Sequence, residues 1–370
     1  MRILVITPYP VAHGPIPKIG LCLIRGLRDV GADVSVSYYG RHREPERLAT
    51  KLAERPRDLV RIVRQASRVR PDVTVLMTPH RWRTLIRDVP LLACLKRHTK
   101  TLVVHYHGSS PELLAPGGPA AFQMATRAAL RLADGVLLLS SEELAGFSRF
   151  STNTSYRIVA NPFVPGPSSG DDDDVLRRVK AKRASGQFVV LFVGRIIRSK
   201  GIFDLLVACA ALQDTLSVHL VVAGEGKCAG DLAAAVRELK LTEAVTICGY
   251  RTGFELTELY RAADVFCLPT YWGEGFPTVI AEAMGAGLPI ITTQIRGAAD
   301  YLVAEQNALF VAPKDPMATA AAIRRLHADS ALCRRMGEAN AREVARFAPE
   351  AVARQYLDAL ASIAAQREAN

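Results

Sequence analysis

The sequence predicts an α/β chain built as two doubly wound domains. Three observations carry this prediction. Short apolar segments rich in Val, Leu and Ile alternate with longer segments of helical spacing. The alternation restarts after residue 185. Between the two series, Asn161 to Asp174 reads NPFVPGPSSGDDDD, a Pro/Gly/Ser stretch closed by four aspartates, which is linker composition. The expected boundaries are 1–164 for the first domain, 165–185 for the linker and 186–349 for the second. A C-terminal helix over 350–370 is expected to pack back on the first domain. At 370 residues the chain is too long for one ordinary core and suits two.

The elements follow in order. RILVIT, ADVSVSYY, DVTVLMT, TLVVHYHG and GVLLLSS read as buried strands of the first domain. FVVLFVG, SVHLVVAG, AVTICG, VFCLPT, PIITT and ALFVA read as those of the second. Near-continuous apolar strands alternating with helices imply parallel sheets covered on both faces. MRILVITPYP carries one charge and a short apolar run ended by Pro8 and Pro10, so it reads as a first strand and not as a leader peptide. The loop after that strand holds a single Gly14 among prolines and no GxGxxG, which argues against a dinucleotide dehydrogenase.

Composition narrows the function classes. With 49% hydrophobic and 22% charged residues this is a folded globular chain. No apolar run reaches the roughly 18–20 residues that span a bilayer. The seven cysteines form no CxxC pair and lie in apolar segments, so buried thiols in a reducing cytosol are expected. The eight histidines form no HExxH, and no metal site is expected. Asp171 and Asp173 make a formal DxD, but they follow a flexible turn instead of a strand, so they read as linker.

The net charge of +11 is uneven: residues 1–165 hold 24 Lys/Arg against 12 Asp/Glu, and 166–370 hold 23 against 24. Residues 55–71, RPRDLVRIVRQASRVRP, read as an amphipathic helix with a cationic face. Such a face suits an anionic membrane surface, or is an ordinary solvated one. It carries no aromatics to stack bases, so no nucleic-acid partner is expected.

Two segments carry chemistry. In FVGRIIRSKG a strand ends in a turn at Gly194, with Arg195 and Lys200 beside a helix start at Gly201. Two cations at a strand's carboxyl end suit a diphosphate and its leaving-group charge. In TYWGEGFPTVIAEAMGAGLPIITT, Glu274 sits in a Gly-rich turn, Pro277 suits a helix's first turn, and Glu282 projects from that helix eight residues on. Free amides at the helix start suit an anion, and a nearby carboxylate can accept two sugar hydroxyls. His105 and His107 straddle Tyr106 at a strand end and face one side. From the residues alone both read as structural hydrogen-bonders, with His13 an outside candidate.

The order Gly-Arg-x4-Lys-Gly, then Glu-Gly-Phe-x5-Glu-Ala-Met, resembles retaining glycosyltransferases of family 4, which have the GT-B fold: two Rossmann-like domains facing across a cleft. The similarity extends to the AGEG turn at Gly224 to Gly226, Gly249-Tyr250, YRAADVFCLPT and NALFVAPKD, and more loosely to His107-Gly108 and ADGVLLLSS. The resemblance implies an acceptor-binding first domain and a nucleotide-sugar-binding second one. Arg195 and Lys200 would bind the donor diphosphate after Gly194, and Glu282 the ribose. Glu274, with the backbone of Gly275, Phe276 and Pro277, would hold the donor sugar. Thr278 and Val279 would offer N–H groups to phosphate, and the backbone at Tyr250 would face the base. His107 would approach the donor sugar, and Gly14 would let the first loop near the diphosphate. His105 stays structural. Many relatives have Gly-Gly where this chain has Gly14-Pro15, and Ala308 stands where glycine is common; Pro15 has no N–H to donate.

The expectation is therefore a metal-independent hexosyltransferase. It would use a UDP- or GDP-linked sugar as substrate, with no cofactor, and a glycan, a lipid-linked molecule or a small molecule as acceptor. It would work in bacterial cell-surface glycan or glycolipid synthesis, in the cytoplasm and peripherally on the inner membrane face. The alternatives are a nucleotide-sugar epimerase of the same fold and a non-catalytic nucleotide-sugar-binding protein.

Overall fold

The structure is a computed structural model and describes residues 1–11, 15–40, 48–167, 169–271, 273 and 275–369. The chain forms two compact units. The first is Met1–Val164, Glu274–Phe276 and Arg346–Asn370; the second is Pro165–Gly273 and Pro277–Ala345.

In the first unit the order is β1 (Arg2–Pro8), α1 (Pro15–Asp29), β2 (Asp33–Tyr39), α2 (Leu48–Val69), β3 (Val73–Thr78), α3 (Trp82–Leu95), β4 (Thr101–Tyr106), α4 (Ala120–Leu132), β5 (Gly135–Leu138), α5 (Ser141–Phe150) and β6 (Ser155–Ile158). The sheet order is β2-β1-β3-β4-β5-β6, and every pairing is parallel. β3 and β4 are buried at every position, which is why their sequences show no alternation. β6 was not among the expected strands. Its sequence SYRI carries no apolar run because it is a half-exposed edge strand.

Two apolar cores cover this sheet. One holds Leu4, Ile6, Ile62, Leu92, Val104 and Phe147. The other sets Ile3, Val5, Leu23, Leu27 and Val75 against Tyr356, Leu360 and Ile363. These last three belong to the C-terminal helix, which lies along α1 and touches β4. Burying side chains of that size stabilises by roughly 1.5–3 kcal/mol each.

The second unit runs α6 (Asp174–Ala184), β7 (Phe188–Val193), α7 (Ile202–Leu212), β8 (Val218–Ala223), α8 (Ala229–Glu238), β9 (Val245–Gly249), α9 (Gly253–Ala262), β10 (Val265–Leu268), α10 (Thr278–Gly285), β11 (Ile290–Thr292), α11 (Gly297–Tyr301), β12 (Ala308–Phe310), α12 (Pro316–Ala328) and α13 (Ser330–Glu343). The C-terminal helix of the first unit is then α14 (Pro349–Ala369). The second sheet is β12-β11-β10-β7-β8-β9, again parallel throughout.

Part of the expected linker, 165–185, is helix α6. Asp173 caps it, accepting from Leu176 N at 2.7 Å, and α6 packs on α9. The aspartate run reads as a helix start once its hydrogen bonds are visible. Asp173 also pairs with Arg251. The Leu176 amide, then Arg251, hold its carboxyl below the usual range. The seven cysteines are free thiols, but they are not uniformly buried: Cys94 is exposed on α3, and Cys22 and Cys333 are half-buried.

Candidate functional site

The second sheet has the 3-2-1-4-5-6 strand order counted from β7. Winding runs one way through β8 and β9 and the other way through β10, β11 and β12. In sheets of this kind ligands bind outside the carboxyl ends of the strands where the order reverses. Here that place is the pair β7 and β10, so the residues after Val193 and after Leu268 define the candidate site.

The loop after β7 is built by close backbone packing. Gly194 N donates to Ala223 O at 3.0 Å, and Ile196 N to Glu225 O at 2.9 Å. Gly224, at φ 148°, lies so near Gly194 that a Cβ would stand 1.9 Å from its carbonyl oxygen. A 3-10 turn over Arg198–Lys200 ends at Gly201, φ 74°, where a Cβ would meet Pro269 O at 2.0 Å. Only glycine fits both places. The loop is pinned to the segment after β10: Tyr271 N and Thr270 Oγ1 both donate to Ser199 O, at 3.0 and 3.1 Å. Lys200 is buried at 4% exposure, while Arg195 is exposed.

On the β10 side, α10 begins after Pro277, which supplies no side-chain cap. The first-turn amides of Thr278 and Val279 lack carbonyl partners within the helix and carry the positive end of its dipole. Glu282, half-buried on α10, accepts from Tyr260 Oη at 2.8 Å. The same hydroxyl lies 3.3 Å from Val279 O. Burial first, and the Glu282 charge second, push the Tyr260 hydroxyl well above its usual pKa. Tyr260 therefore stays a neutral donor that fixes one carboxylate oxygen. Tyr250 follows Gly249 at the end of β9 and is 63% exposed. The second unit thus gathers Gly194, Arg195, Lys200, Pro277, Thr278, Val279 and Glu282 at two adjacent strand ends, with Tyr250 at the end of β9. Cations, free amides and a carboxylate in one place can hold an anion next to hydroxyl groups.

Gly275 and Phe276 belong to the first unit. A Cβ on Gly275 would stand 2.5 Å from Leu139 Cβ, and Phe276 stacks on Phe347 with ring centroids 4.8 Å apart. His107, just past β4, lies in the same unit. Its Nδ1 is 3.1 Å from Asn161 Oδ1, and Asn161 Nδ2 donates to Phe276 O at 3.5 Å. The Phe276 carbonyl can only accept, so it sets the Asn161 amide and makes His107 Nδ1 the donor. His107 Nε2 is then a lone-pair acceptor. It is buried and has no hydrogen-bond partner among the described residues. Burial pushes the His107 pKa down to about 3 against the opposing Asn161 contact, so the ring is neutral. His105 Nδ1 lies 3.2 Å from Tyr356 Oη, a contact inside the core.

Glu274, Gly14 and His13 lie outside the described residues. Pro15 is the first residue of α1, where its missing N–H costs nothing. Three contributors escaped the sequence reading. Asn161 looked like the start of a linker, Tyr260 opens the YRAADVFCLPT run but was given no role, and Arg296, buried at 7% exposure, donates to Gly273 O at 2.8 Å. The two residues before Asn161, Val159 and Ala160, are buried and gave the available hint that the first domain's core runs up to it.

This architecture occurs in solved proteins. HepE of Anabaena, solved in complex with UDP-glucose, superposes with a TM-score of 0.73 at 20% identity, over 98% of this chain and 100% of that one. The fold is GT-B. Within this GT-B chain, residues 175–343 match the family described as glycosyl transferases group 1. An uncharacterized glycosyltransferase of Methanocaldococcus jannaschii is 33% identical over 141 residues, 38% of this chain and 36% of that protein. A D-inositol 3-phosphate glycosyltransferase of Corynebacterium urealyticum is 30% identical over 216 residues, 54% of this chain and 48% of that one. The matches thus span between about a third and a half of these curated relatives.

Proposed function

We propose that this GT-B chain is a retaining family 4 glycosyltransferase that moves a hexose-type sugar from a UDP- or GDP-linked donor to an acceptor, in bacterial cell-surface glycan or glycolipid synthesis. One observation carries the reading. The β7 and β10 ends meet at the switch point of the second sheet, with Arg195 and Lys200 on one side and the α10 amides and Glu282 on the other. The UDP-glucose held by the solved neighbour and the glycosyltransferase relatives support it.

In this proposal Glu282, steadied by Tyr260, accepts the ribose hydroxyls, and the backbone at Tyr250 faces the base. Arg195, Lys200 and the amides of Thr278 and Val279 hold the diphosphate, with Gly14 letting the first loop approach it. Glu274 and the backbone of Gly275, Phe276 and Pro277 hold the sugar. His107 Nε2 accepts a sugar hydroxyl. The bond between the anomeric carbon and the phosphate oxygen breaks, and negative charge grows on the departing diphosphate. The two cations and the helix N-terminus stabilise that charge without a divalent ion. The same diphosphate takes the acceptor's proton, and the acceptor oxygen bonds to the face that the diphosphate leaves, which retains the anomeric configuration.

Among the described residues no helix is long and apolar enough to cross a membrane. The enzyme is proposed to work in the cytoplasm and to reach the inner membrane face peripherally through α2. The test of the donor chemistry is a screen of UDP- and GDP-hexoses for slow hydrolysis without acceptor, in excess chelator. Release of nucleoside diphosphate from one donor is expected. Activity lost in chelator and restored by manganese or magnesium would contradict the metal-free step. No hydrolysis and no thermal stabilisation with any donor would contradict the reading altogether.

A further inference from the structure

Arg296 follows β11, the neighbour of β10, at the same carboxyl edge of the second sheet. It sits in a turn closed by Ala298 N donating to Ile295 O at 3.2 Å. Arg296 is the first central residue of that turn, with φ 47° and ψ −126°. Those angles belong to a type II′ turn, whose first central position is ordinarily glycine because a Cβ is crowded there. Such a residue persists only where its surroundings hold it, and outliers of this kind gather at functional sites.

The Arg296 side chain supplies the hold. It is buried at 7% exposure, and Nη1 donates to Gly273 O at 2.8 Å. The guanidinium also packs closely against Gly273: a Cβ there would stand 2.4 Å from both Cζ and Nε. Gly273 precedes Glu274 in the chain, four residues before the Pro277 cap of α10. So a strained turn on one strand end carries a buried cation onto the middle of the β10–α10 connection.

We infer that Arg296 is a positioning residue for the donor sugar: it fixes Gly273, the chain neighbour of the proposed sugar-binding Glu274. This rests on the donor-site reading above and adds a residue to it. Arg296 acts at the sugar end, whereas Lys200 and Glu282 act on the nucleotide. Displacing a group that orients a substrate by about an ångström can cost on the order of a hundred-fold in rate.

The test compares Arg296→Gly with Arg296→Ala. Glycine relieves the turn and alanine keeps its strain, but both remove the guanidinium. Arg296→Gly should melt a few degrees above Arg296→Ala. Both should lose roughly ten- to a hundred-fold in kcat for donor hydrolysis, while calorimetric affinity for free UDP or GDP stays within about two-fold of the unmodified protein. Guanidinium chloride at tens of millimolar should restore part of the activity, and sodium chloride should not. Wild-type turnover in Arg296→Gly would overturn the inference. So would loss without rescue that follows the melting temperature, or loss matched by weaker nucleoside-diphosphate binding. Lys200→Ala runs alongside. If neither it nor the unmodified protein binds UDP or GDP, the donor-site reading falls, and the positioning role with it.

Discussion

At the scale of single residues, the acid behaviour of the first unit follows from three buried histidines. Burial pushes the pKa values of His80 and His107 down to about 3 and that of His105 well below its usual value. Their folded pKa values are depressed, so between pH 3 and about 6.5 the unfolded chain binds more protons than the folded one. Stability is then fully present above about pH 6.5 and is lost as pH falls. The slope is roughly 1.4 kcal/mol per pH unit for each such histidine. Urea unfolding between pH 7 and 4.5 should show this loss, and His80→Gln should make it shallower; an unchanged slope would contradict a neutral buried His80. Lys200 is the second case. A charge-assisted contact to phosphate contributes on the order of 1.5–3 kcal/mol. Lys200→Ala should therefore raise the donor KM or Kd about ten-fold or more while far-UV circular dichroism stays unchanged. Unaltered donor affinity and turnover would remove Lys200 from the site. The placement of Arg195 and Lys200 after a strand and of Glu282 on a helix was legible in the sequence because each follows a recognisable strand or helix signal. Asn161, Tyr260 and Arg296 were not, because each acts through a hydrogen bond to a residue 22 to 115 positions away, a pairing only the fold creates.

At the scale of elements, α2 carries part of the first unit's positive excess in an orderly way. Arg57, Val60, Arg61, Arg64 and Arg68 are exposed along one stripe of the helix, opposite the buried Ile62 and Ala66. Arg61 is already occupied, donating to Tyr38 O at 2.5 Å and pairing with Asp58 at 2.8 Å. Gln65 likewise donates to Val36 O at 3.0 Å and Arg28 to Val34 O at 3.1 Å, so these three side chains cap the outer carbonyls of the edge strand β2. That edge is thereby shielded from pairing with another chain. The arginines left for an anionic leaflet are Arg57, Arg64 and Arg68, each contributing roughly 1 kcal/mol near the surface. Co-sedimentation with vesicles containing anionic lipid should be seen at low salt, fall at high salt, and drop when these three are replaced by Gln together. Equal absence from anionic and neutral vesicles at low salt would favour a small soluble acceptor. The cationic face could be read from helical spacing. The division of labour among its arginines could not, because it depends on where β2 ends its sheet.

At the scale of the whole molecule, two parallel sheets were legible because apolar runs such as FVVLFV and TVLMT leave no polar face to expose. Among the described elements, β6, at an exposed edge, and α6, hidden in a linker-like composition, escaped that logic. The strand order was not legible, and it is the strand order that makes the β7 and β10 ends neighbours and so defines the proposed donor site. The most direct test of that site is calorimetric titration of UDP and GDP, in chelator, into the unmodified protein, Lys200→Ala and Glu282→Ala. The account predicts saturable binding of one nucleotide by the unmodified protein and at least about ten-fold weaker binding by each variant, each losing at least one charge-assisted contact. Binding of neither nucleotide, or the same affinity in all three proteins, would contradict it.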